Sequence, residues 1–249
     1  MLVAKGLAML EVSAAMMGRK ETVYPALIWD EDQMILVDTA YPGQLPLLRA
    51  EMERAGMPFE KLTKLIITHQ DLDHIGNLPT ILHESAQKLE VLAHAVEKPF
   101  IQGEKRLLKI TPEAIAQAVN SLPPEVPEEW RAAFKRTLEN PPKADVDRTV
   151  GDAEELPYCG GITVISTPGH TPGHISLYHR PSKTLIAADA MIVADGQLLG
   201  PEPQYCVDAN QAVQSLKKLT HYDIEAVICY HGGLYRGDAN RRIAELANG

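Results

Sequence analysis

Short apolar runs divide the first part of the chain into candidate strands. Residues 6–13, 22–29 and 34–37 are apolar, and polar turns separate them. This spacing is typical of an antiparallel meander. Two later runs, at residues 62–67 and 89–94, also predict strands. The pattern therefore indicates a sheet-forming unit within the first hundred residues.

A second β-rich unit follows residue 150. Apolar runs at residues 162–167, 174–179 and 183–188 are joined by turns that contain glycine and proline. Residues 226–230 form a further run of the same kind. These segments predict a second set of strands.

Helical spacing of apolar residues marks the segments between these strands. Leu45, Leu48 and Met52 recur three or four residues apart, as on one face of a helix. Asp208, with Gln211 three residues later, is typical of a capped helix start. The pattern predicts helices at residues 45–55, 79–84, 209–219 and 239–247.

Residues 95–150 differ in character from both β-rich units. Thr111 is placed to cap one helix with Pro112 in its first turn, and a second helix is predicted at 127–138. No alternating pattern runs through this stretch. We therefore predict a helical insertion at about 95–150, outside the central sheets, that serves as a lid or as a dimerisation surface.

The order of the elements predicts the fold class. Strands followed by helices occur twice, on either side of the insertion, and two such halves can pack face to face. The result is an α+β fold, a four-layer αββα sandwich with helices outside two sheets. A chain of 249 residues can bury a sizeable core, and we predict one domain spanning residues 1–249.

Charge and cysteine content indicate which partners and which cellular compartment to expect. The chain has 33 acidic and 24 basic residues and a formal charge of −9, which argues against nucleic acid or an anionic membrane as the main partner. Its 3 cysteines are widely spaced, which favours a reducing compartment. No stretch approaches the roughly 18 apolar residues of a membrane span. We expect a cytoplasmic protein.

Candidate metal ligands are concentrated directly after the run at residues 62–67. His69, Asp71, Asp73 and His74 lie within six residues of each other on the predicted loop. In an extended loop alternate side chains project to the same side. A mixed set of imidazoles and carboxylates favours zinc, iron or manganese. The alternative is an ordinary polar turn in which Asp73 caps the following helix.

Three other predicted strand ends carry residues of the same type. His170, Asp189 and His231 each follow an apolar run. Each residue alone has an ordinary explanation, as a surface histidine or a turn aspartate. Strand ends at the same edge of a sheet, however, bring distant residues together. The combination therefore predicts one metal site built from several strand ends.

This set resembles the metallo-β-lactamase superfamily of binuclear metal hydrolases. The residues that carry the resemblance are His69-x-Asp71-x-Asp73-His74, Gly169-His170, Asp189 and His231. The supporting motifs are Leu36-Val37-Asp38-Thr39, Thr68-His69 and Gly169-His170-Thr171-Pro172-Gly173-His174. The resemblance runs from about residue 7 to 235 and implies the αββα fold and a metal-dependent hydrolase.

The resemblance also implies two groups of ligands joined by one carboxylate. The first ion would be bound by the first ligand group, His69, Asp71 and His170. The second ion would be bound by the second ligand group, Asp73, His74 and His231, with Asp189 bridging both ions. The cofactors implied are two divalent metal ions, zinc foremost, with iron or manganese as alternatives.

Further roles follow for three residues near these ligands. Asp73 would be the catalytic residue, because it can orient a metal-activated hydroxide and pass its proton to the leaving group. Asp38, at the end of a strand, is either a turn residue or a hydrogen-bond partner behind the ligands. His174 is predicted to support a ligand rather than to bind metal.

Asp71 departs from the usual pattern, which has histidine at this position. A carboxylate favours a harder or more oxidised ion than imidazole does, or leaves the first site weak. Flavodiiron proteins of the same superfamily are similar in having a carboxylate there, which favours iron. They also carry a flavodoxin domain that this chain lacks.

We expect a hydrolase that acts on a small-molecule substrate, a lactone or another carboxylic ester. The alternatives are an iron-bound redox enzyme of the same fold and a non-catalytic metal-binding module. The insertion is expected to cover the metal edge, or else to form a homodimer interface. The apolar side chains available for such a cover are Phe100, Leu107, Leu108, Ile110 and Trp130.

Overall fold

The structure, a computed structural model, describes residues 1–16 and 19–248. In chain order its strands are β1 (Leu2–Ala4), β2 (Leu7–Met9), β3 (Val12–Met16), β4 (Arg19–Val23), β5 (Ala26–Trp29), β6 (Met34–Val37), β7 (Lys64–Ile67), β8 (Glu90–His94), β9 (Arg148–Val150), β10 (Glu155–Leu156), β11 (Ile162–Ser166), β12 (Ile175–His179), β13 (Thr184–Ala188), β14 (Ile192–Ala194), β15 (Gln197–Leu199), β16 (Ala226–Cys229) and β17 (Gly233–Tyr235). Its α-helices are α1 (Leu45–Arg54), α2 (Leu72–Ile75), α3 (Leu78–Glu84), α4 (Lys98–Ile101), α5 (Pro112–Asn120), α6 (Glu128–Glu139), α7 (Ala209–Leu219) and α8 (Ala239–Asn248). No helix within these residues is long and apolar enough to cross a membrane.

Two mixed sheets form the centre of the fold. The first has seven strands in the order β1-β2-β5-β6-β7-β8-β9, and β6 to β9 pair in parallel. The second has six strands in the order β10-β11-β12-β13-β16-β17, and only the β13–β16 pair is parallel. Two hairpins, β3–β4 and β14–β15, stand beside the main sheets.

Three layers of buried apolar side chains hold the sheets and helices together. Between the sheets, Val37 and Ile66 of the first sheet join Ile186 of the second in one fully buried cluster. On the outer face of the first sheet, α1 and α3 supply side chains such as Leu48. On the outer face of the second sheet, α7 and α8 supply side chains such as Leu216. This arrangement confirms the predicted four-layer αββα sandwich.

The predicted strands at residues 6–13 and 22–29 are each divided in two. Their inner parts, β2 and β5, pair in the main sheet, and their outer parts form the β3–β4 hairpin. Pro25 precedes β5 and has no N–H to donate to a ladder, which accounts for the break there. The predicted turn at residues 17–20 includes two residues that lie outside the described part of the chain.

The predicted helical insertion contains α4, α5 and α6, but it also returns to the sheet. Its last three residues form β9, which pairs in parallel with β8 through partners such as Ala93 and Thr149. The prediction that residues 95–150 lie wholly outside the sheets is therefore wrong for 148–150. Three residues are too few to show alternation, so only the pairing partner reveals the strand.

Parallel strands place the candidate ligands at one edge. β6 and β7 of the first sheet end at Val37 and Ile67, and the chain continues into Asp38 and His69. In the second sheet β13 and β16 run parallel, and β11 runs in the same sense because two antiparallel pairings separate it from β13. The carboxyl ends of all these strands therefore meet at the same edge of the sandwich.

Candidate metal centre

The loop after β7 carries the densest set of candidate ligands. His69 and Asp71 lie on the loop itself, whereas Asp73 and His74 belong to the single turn of α2. The expectation of an extended loop through Asp73 is therefore wrong. Asp71 occupies the N-cap position but makes no side-chain cap hydrogen bond. Its carboxylate turns toward the other ligands. Asp73 lies within α2, and Asn77 is the N-cap of α3, so the alternative in which Asp73 caps the following helix is wrong.

Two glycines fix the backbone beside the distant ligands. Gly169 has φ +133°, and a Cβ there would lie 2.1 Å from the backbone nitrogen of Ala212 on α7. Gly232 has φ +88°, and a Cβ there would lie 1.7 Å from the carbonyl oxygen of Val193. Both positions therefore require glycine. Each glycine allows its loop to pack closely against a neighbouring element and so places His170 or His231.

Asp189 lies at the centre of the ligands. Its Oδ2 atom is 3.8 Å from Nε2 of His69, 3.5 Å from that of His74, 3.2 Å from that of His170 and 3.5 Å from that of His231. The structure therefore brings together residues from four separate strand ends around one carboxylate, which is the arrangement required of a bridging ligand.

The separations between the second ligand group and Asp189 are those expected of ligand atoms around one metal ion. Oδ2 of Asp73 is 3.6 Å from Nε2 of His74 and 3.3 Å from Nε2 of His231. Together with the two 3.5 Å separations from Asp189, these distances match the edges, about 3.3–3.6 Å, of a tetrahedron around zinc with bonds of about 2.0–2.2 Å. Nε2 of His74 and Oδ1 of Asp189 are buried and have no hydrogen-bond partner among the described residues, and the same is true of Nε2 of His69 in the first group. The second group therefore fits a metal ion.

The first ligand group differs, because a lysine from the insertion reaches into it. Nζ of Lys109 lies 2.5 Å from Oδ2 of Asp71 and 2.7 Å from Nε2 of His170. Oδ2 of Asp71 and Nε2 of His170 are only 2.9 Å apart, and Asp71 is 3.3 Å from Nε2 of His69. The group therefore does not fit a metal ion while Lys109 holds this position. Sequence reasoning missed Lys109, since no motif surrounds it.

Hydrogen bonds behind the ligands involve the two predicted supporting residues. Asp38 has φ +63°, and its Oδ2 lies 2.9 Å from Nδ1 of His74. The same carboxylate accepts hydrogen bonds of 2.8 Å from the backbone N–H and the hydroxyl of Thr68. His174 instead accepts a hydrogen bond of 3.1 Å from the backbone N–H of Asp189. Asp38 and His174 therefore each contact a candidate ligand from behind, Asp38 at a ring nitrogen and His174 at a backbone N–H.

Tyr230 is a further supporting residue that sequence reasoning missed. Its hydroxyl donates to the carbonyl oxygen of Asp73 at 2.6 Å and accepts from the backbone N–H of Ala40 at 3.1 Å. Its ring lies 3.8 Å from the imidazole of His74, centroid to centroid. The only signal in the sequence was its position directly before His231, at the end of a predicted strand.

Opposite charges dominate the electrostatics of the centre. Burial alone would lower the pKa of His231, but the carboxylates of Asp189 and Asp73 outweigh it and raise this pKa to about 10. Burial likewise opposes ionisation of Asp189, yet the surrounding imidazoles hold its pKa well below the usual range. In the absence of metal the imidazole of His231 therefore carries a proton that a metal ion would displace, whereas burial lowers the pKa of His69.

A cavity of about 450 Å³ opens above the ligands. Its lining residues are Glu21, Tyr41, Asp71, Asp73, Lys109, His170, Asp189, Ile192, Glu202, Tyr205 and His231. None of the five apolar side chains expected to cover the metal edge is among these described residues. Phe100 and Ile110 instead line a separate cavity of about 870 Å³ within the insertion, and Trp130 is 71% exposed. The expectation of an apolar cover is wrong, and the insertion contributes Lys109 to the site instead.

Comparison with known proteins agrees with this fold. The chain is 29% identical over 230 residues to a probable metallo-hydrolase, YflN of Bacillus subtilis (strain 168), across 86% of this chain and 81% of that protein. The crystal structure of the metallo-beta-lactamase family protein TTHA1429 from Thermus thermophilus has a TM-score of 0.71 at 24% identity, covering 99% of this chain and 80% of that one. An archaeal metallo-beta-lactamase superfamily protein, ST1585 from Sulfolobus tokodaii, has a TM-score of 0.65 at 19% identity, covering 98% of this chain and 85% of that one.

The match to a family model decides the classification. The model of the metallo-beta-lactamase superfamily matches residues 19–231, which include every candidate ligand. The strand ends that carry these ligands lie within the matched region, at one edge of an αββα sandwich. The chain therefore belongs to the metallo-beta-lactamase superfamily.

Proposed function

We propose that the protein is a metal-dependent hydrolase whose resident ion is zinc, held by the second ligand group and Asp189. The observation that carries this proposal is the set of separations of 3.3–3.6 Å from Asp73 and Asp189 to His74 and His231, which suits ligand atoms about 2.0–2.2 Å from one zinc ion. The cavity above these residues leaves space for water as a further ligand. The relationship to probable metallo-hydrolases supports the same reaction class.

The chain's own residues account for the steps around such an ion. A bound divalent ion lowers the pKa of water into the physiological range and polarises a carbonyl group. The Asp73 carboxylate borders the cavity, where it can accept a proton from water and return it to the leaving group. Asp38 holds Nδ1 of His74, which leaves the lone pair of Nε2 for a ligand bond. His174 fixes the backbone of Asp189 from the opposite side.

The cavity supports a lactone or another carboxylic ester as the substrate. Tyr41, Ile192 and Tyr205 supply apolar surface, and Glu21 and Glu202 add negative charge. Lys109 is the only lysine or arginine among the described lining residues. A substrate with several phosphates would meet too little positive charge here, whereas a neutral carbonyl compound would not.

A cytoplasmic location is part of this proposal, with a small molecule as the partner. Cys159, Cys206 and Cys229 are all unpaired, which supports a reducing compartment. The predicted pairing of two copies through the insertion would use a different surface from the cavity, since Trp130 faces solvent on α6.

The test is turnover of a panel of a lactone, a carboxylic ester, a thioester, a β-lactam and a phosphodiester by zinc-loaded protein. We expect hydrolysis of the lactone or the ester, loss of that activity on chelation, and at least about a 100-fold loss in Asp73→Asn. Asp32→Asn is the matched control, because Asp32 is exposed in the turn before β6, at the opposite edge from the ligands. Its activity should equal that of the wild type.

Two results would contradict the proposal. Protein coloured by iron that turns over only with oxygen would indicate a redox enzyme. Protein that binds metal but hydrolyses no compound in the panel would indicate a non-catalytic metal-binding module.

A further inference from the structure

We propose that the ammonium group of Lys109 takes the place of a metal ion in the first ligand group. The protein would then hold one metal ion, in the second group, and would use a lysine as its second cation. This inference rests on the proposed function, because it concerns the number of ions at that site. It replaces the expectation of two ions drawn from the sequence.

The first argument is the position of the ammonium nitrogen. Nζ of Lys109 lies within hydrogen-bond distance of Asp71 Oδ2 and His170 Nε2, at 2.5 and 2.7 Å. A metal ion would need the lone pairs of these same two atoms, at about 2.0–2.2 Å. The Asp71 oxygen accepts from the ammonium group, and the nitrogen fills the space beside both atoms. An ion could enter the first group only after Lys109 had left it.

The second argument is charge. Three carboxylates meet in the centre, those of Asp71, Asp73 and Asp189. One divalent ion and one ammonium group supply three positive charges, which balance these carboxylates. Replacing the ammonium group by a second divalent ion would leave one uncompensated positive charge among these three carboxylates in a largely buried site, where such an excess is costly. A fourth buried carboxylate, that of Asp38, lies on the side of the second group, where it faces Nδ1 of His74.

The third argument is that buried hydrogen bonds place the lysine. The backbone N–H of Leu108 donates to the side-chain oxygen of Gln70 at 2.8 Å. Gln70 in turn donates to Oε2 of Glu97 from its backbone N–H at 3.0 Å and from its side-chain amide at 2.8 Å. Gln70 and Glu97 are fully buried. The residue before Lys109 is thus tied to the residue before Asp71.

Glu97 extends this connection to the other ligand of the first group. Its Oε1 accepts a hydrogen bond of 2.7 Å from the backbone N–H of Gly173, in the loop that carries His170. A Cβ at Gly173 would lie 2.8 Å from the same oxygen, so a larger residue would disturb the contact. One buried carboxylate therefore joins the three loops that supply Asp71, Lys109 and His170.

Lys109 also accounts for the residue at position 71. An imidazole there would offer a metal ion a neutral ligand but would offer an ammonium group no opposite charge. A carboxylate pairs strongly with an ammonium group through a charge-assisted hydrogen bond. Asp71 and Lys109 are therefore two parts of one arrangement, which explains the departure from histidine better than a weakened metal site does.

The ammonium group retains one N–H bond for a substrate. It has three N–H bonds, and its contacts with the described residues, the Asp71 carboxylate and Nε2 of His170, account for at most two of them. Lys109 lines the cavity, and its side chain is 29% exposed. The remaining N–H can donate to an oxygen atom on which negative charge develops, which is the electrostatic task of a second cation.

The test is the zinc content of the full-length protein, stripped with chelator, reloaded, and measured by native mass spectrometry and elemental analysis. We expect one tightly bound zinc ion per wild-type chain. Lys109→Met keeps the length of the side chain without its charge and should bind a second ion. Lys109→Arg keeps the charge and should stay at one ion. Lys135→Met is the matched control within the insertion, because Lys135 pairs with exposed Glu139 and does not line the cavity above the ligands, and it should also stay at one.

Each outcome separates the two proposals. Two tightly bound ions in the wild type, or one ion in folded Lys109→Met, would overturn the lysine proposal and leave the metal-dependent hydrolase standing. No bound ion in the wild type would instead overturn the proposed function itself. If Lys109→Met does not fold, the Arg variant decides the matter, because a second ion bound to Lys109→Arg would show that a cation there does not exclude metal.

Discussion

The two halves of the metal centre are built from the same residue types but have different geometries. In the second ligand group the separations from Asp73 and Asp189 to the imidazoles span only 3.3–3.6 Å. In the first group the corresponding separations spread from 2.9 to 3.8 Å. In the first group Asp71 lies at hydrogen-bond distance from both His170 and Lys109. In the second group the ligand atoms have the spacing of a metal site.

The contacts that hold the ligands in place also differ between the two groups. His74 of the second group is held by the Asp38 carboxylate on one side and by the Tyr230 ring on another. Nδ1 of His69 in the first group lies 3.0 Å from the hydroxyl of Thr68 and faces no carboxylate among the described contacts, although its ring packs 3.9 Å from that of His74. The comparison teaches that a list of ligands does not fix the number of ions. The side chains opposite the ligands and the hydrogen bonds behind them decide which positions bind metal.

The largest effect should come from removing one histidine of each group in turn. His231→Gln takes a ligand from the second group, and we expect its zinc affinity to fall by more than about 100-fold, beyond the loss usual for changes behind a ligand. His170→Gln affects the half held by Lys109, and it should retain one zinc ion per chain. Competition titration with a chelating dye measures both. Equal losses in the two variants would mean that the halves are equivalent.

Asp38→Asn tests the support of the second group. The amide can present an N–H to Nδ1 of His74, where the carboxylate now accepts, so the imidazole loses its orientation. We expect zinc affinity to fall by about 10–100-fold, measured by the same titration. Asp32→Asn serves as the control and should bind zinc as the wild type does. An unchanged affinity in Asp38→Asn would show that the second group does not depend on this contact.

Asp71→His tests the first group from the ligand side. The change removes the anionic partner of Lys109 and supplies a third imidazole, so zinc occupancy of the first group should rise toward a second equivalent. Competition titration and elemental analysis measure the change. The double variant with Lys109→Met should bind little more zinc than either single variant, because each change alone already breaks the same ion pair. Equal or lower occupancy in Asp71→His would contradict this account.

Zinc binding should release protons at pH 7. The pKa of His231 is raised to about 10, so in the metal-free protein this imidazole is protonated at pH 7, and only its neutral form can bind metal. The affinity should therefore rise with pH, by about tenfold per unit for each proton released, until the pH passes this pKa. Calorimetry in two buffers with different ionisation enthalpies measures the release. A binding enthalpy independent of the buffer would contradict the charged state assigned to the second group.

The smallest effect is expected from Tyr230→Phe. The ring can stay against His74, but the hydrogen bonds to the Asp73 carbonyl oxygen and from the Ala40 N–H are lost. We expect the free energy of unfolding to fall by about 1–3 kcal/mol, with zinc content unchanged. Chemical denaturation measures the change. Tyr222→Phe is the control, because the hydroxyl of Tyr222 has no hydrogen-bond partner among the described residues, and it should unfold like the wild type.

The sequence by itself determined the elements and their class. β6 and α7 have the bounds that hydrophobic periodicity predicts, at residues 34–37 and 209–219, because each is a continuous run with its own end signals. The candidate ligands at residues 69–74, 170, 189 and 231 were also visible, since each follows an apolar run that becomes a strand. These are local features, and local patterns are what a sequence displays.

Only the tertiary structure decided what lies between the ligands. β9 was not predicted, because a strand of three residues exists only through its pairing with β8. Lys109 was not predicted, because a single lysine in a helical stretch has no local signal. It reaches Asp71 through the buried contacts of Gln70 and Glu97, which join segments far apart in the chain. Strand ends could be predicted from periodicity, but the meeting of one ammonium group with two ligands depends on long-range packing that periodicity does not encode.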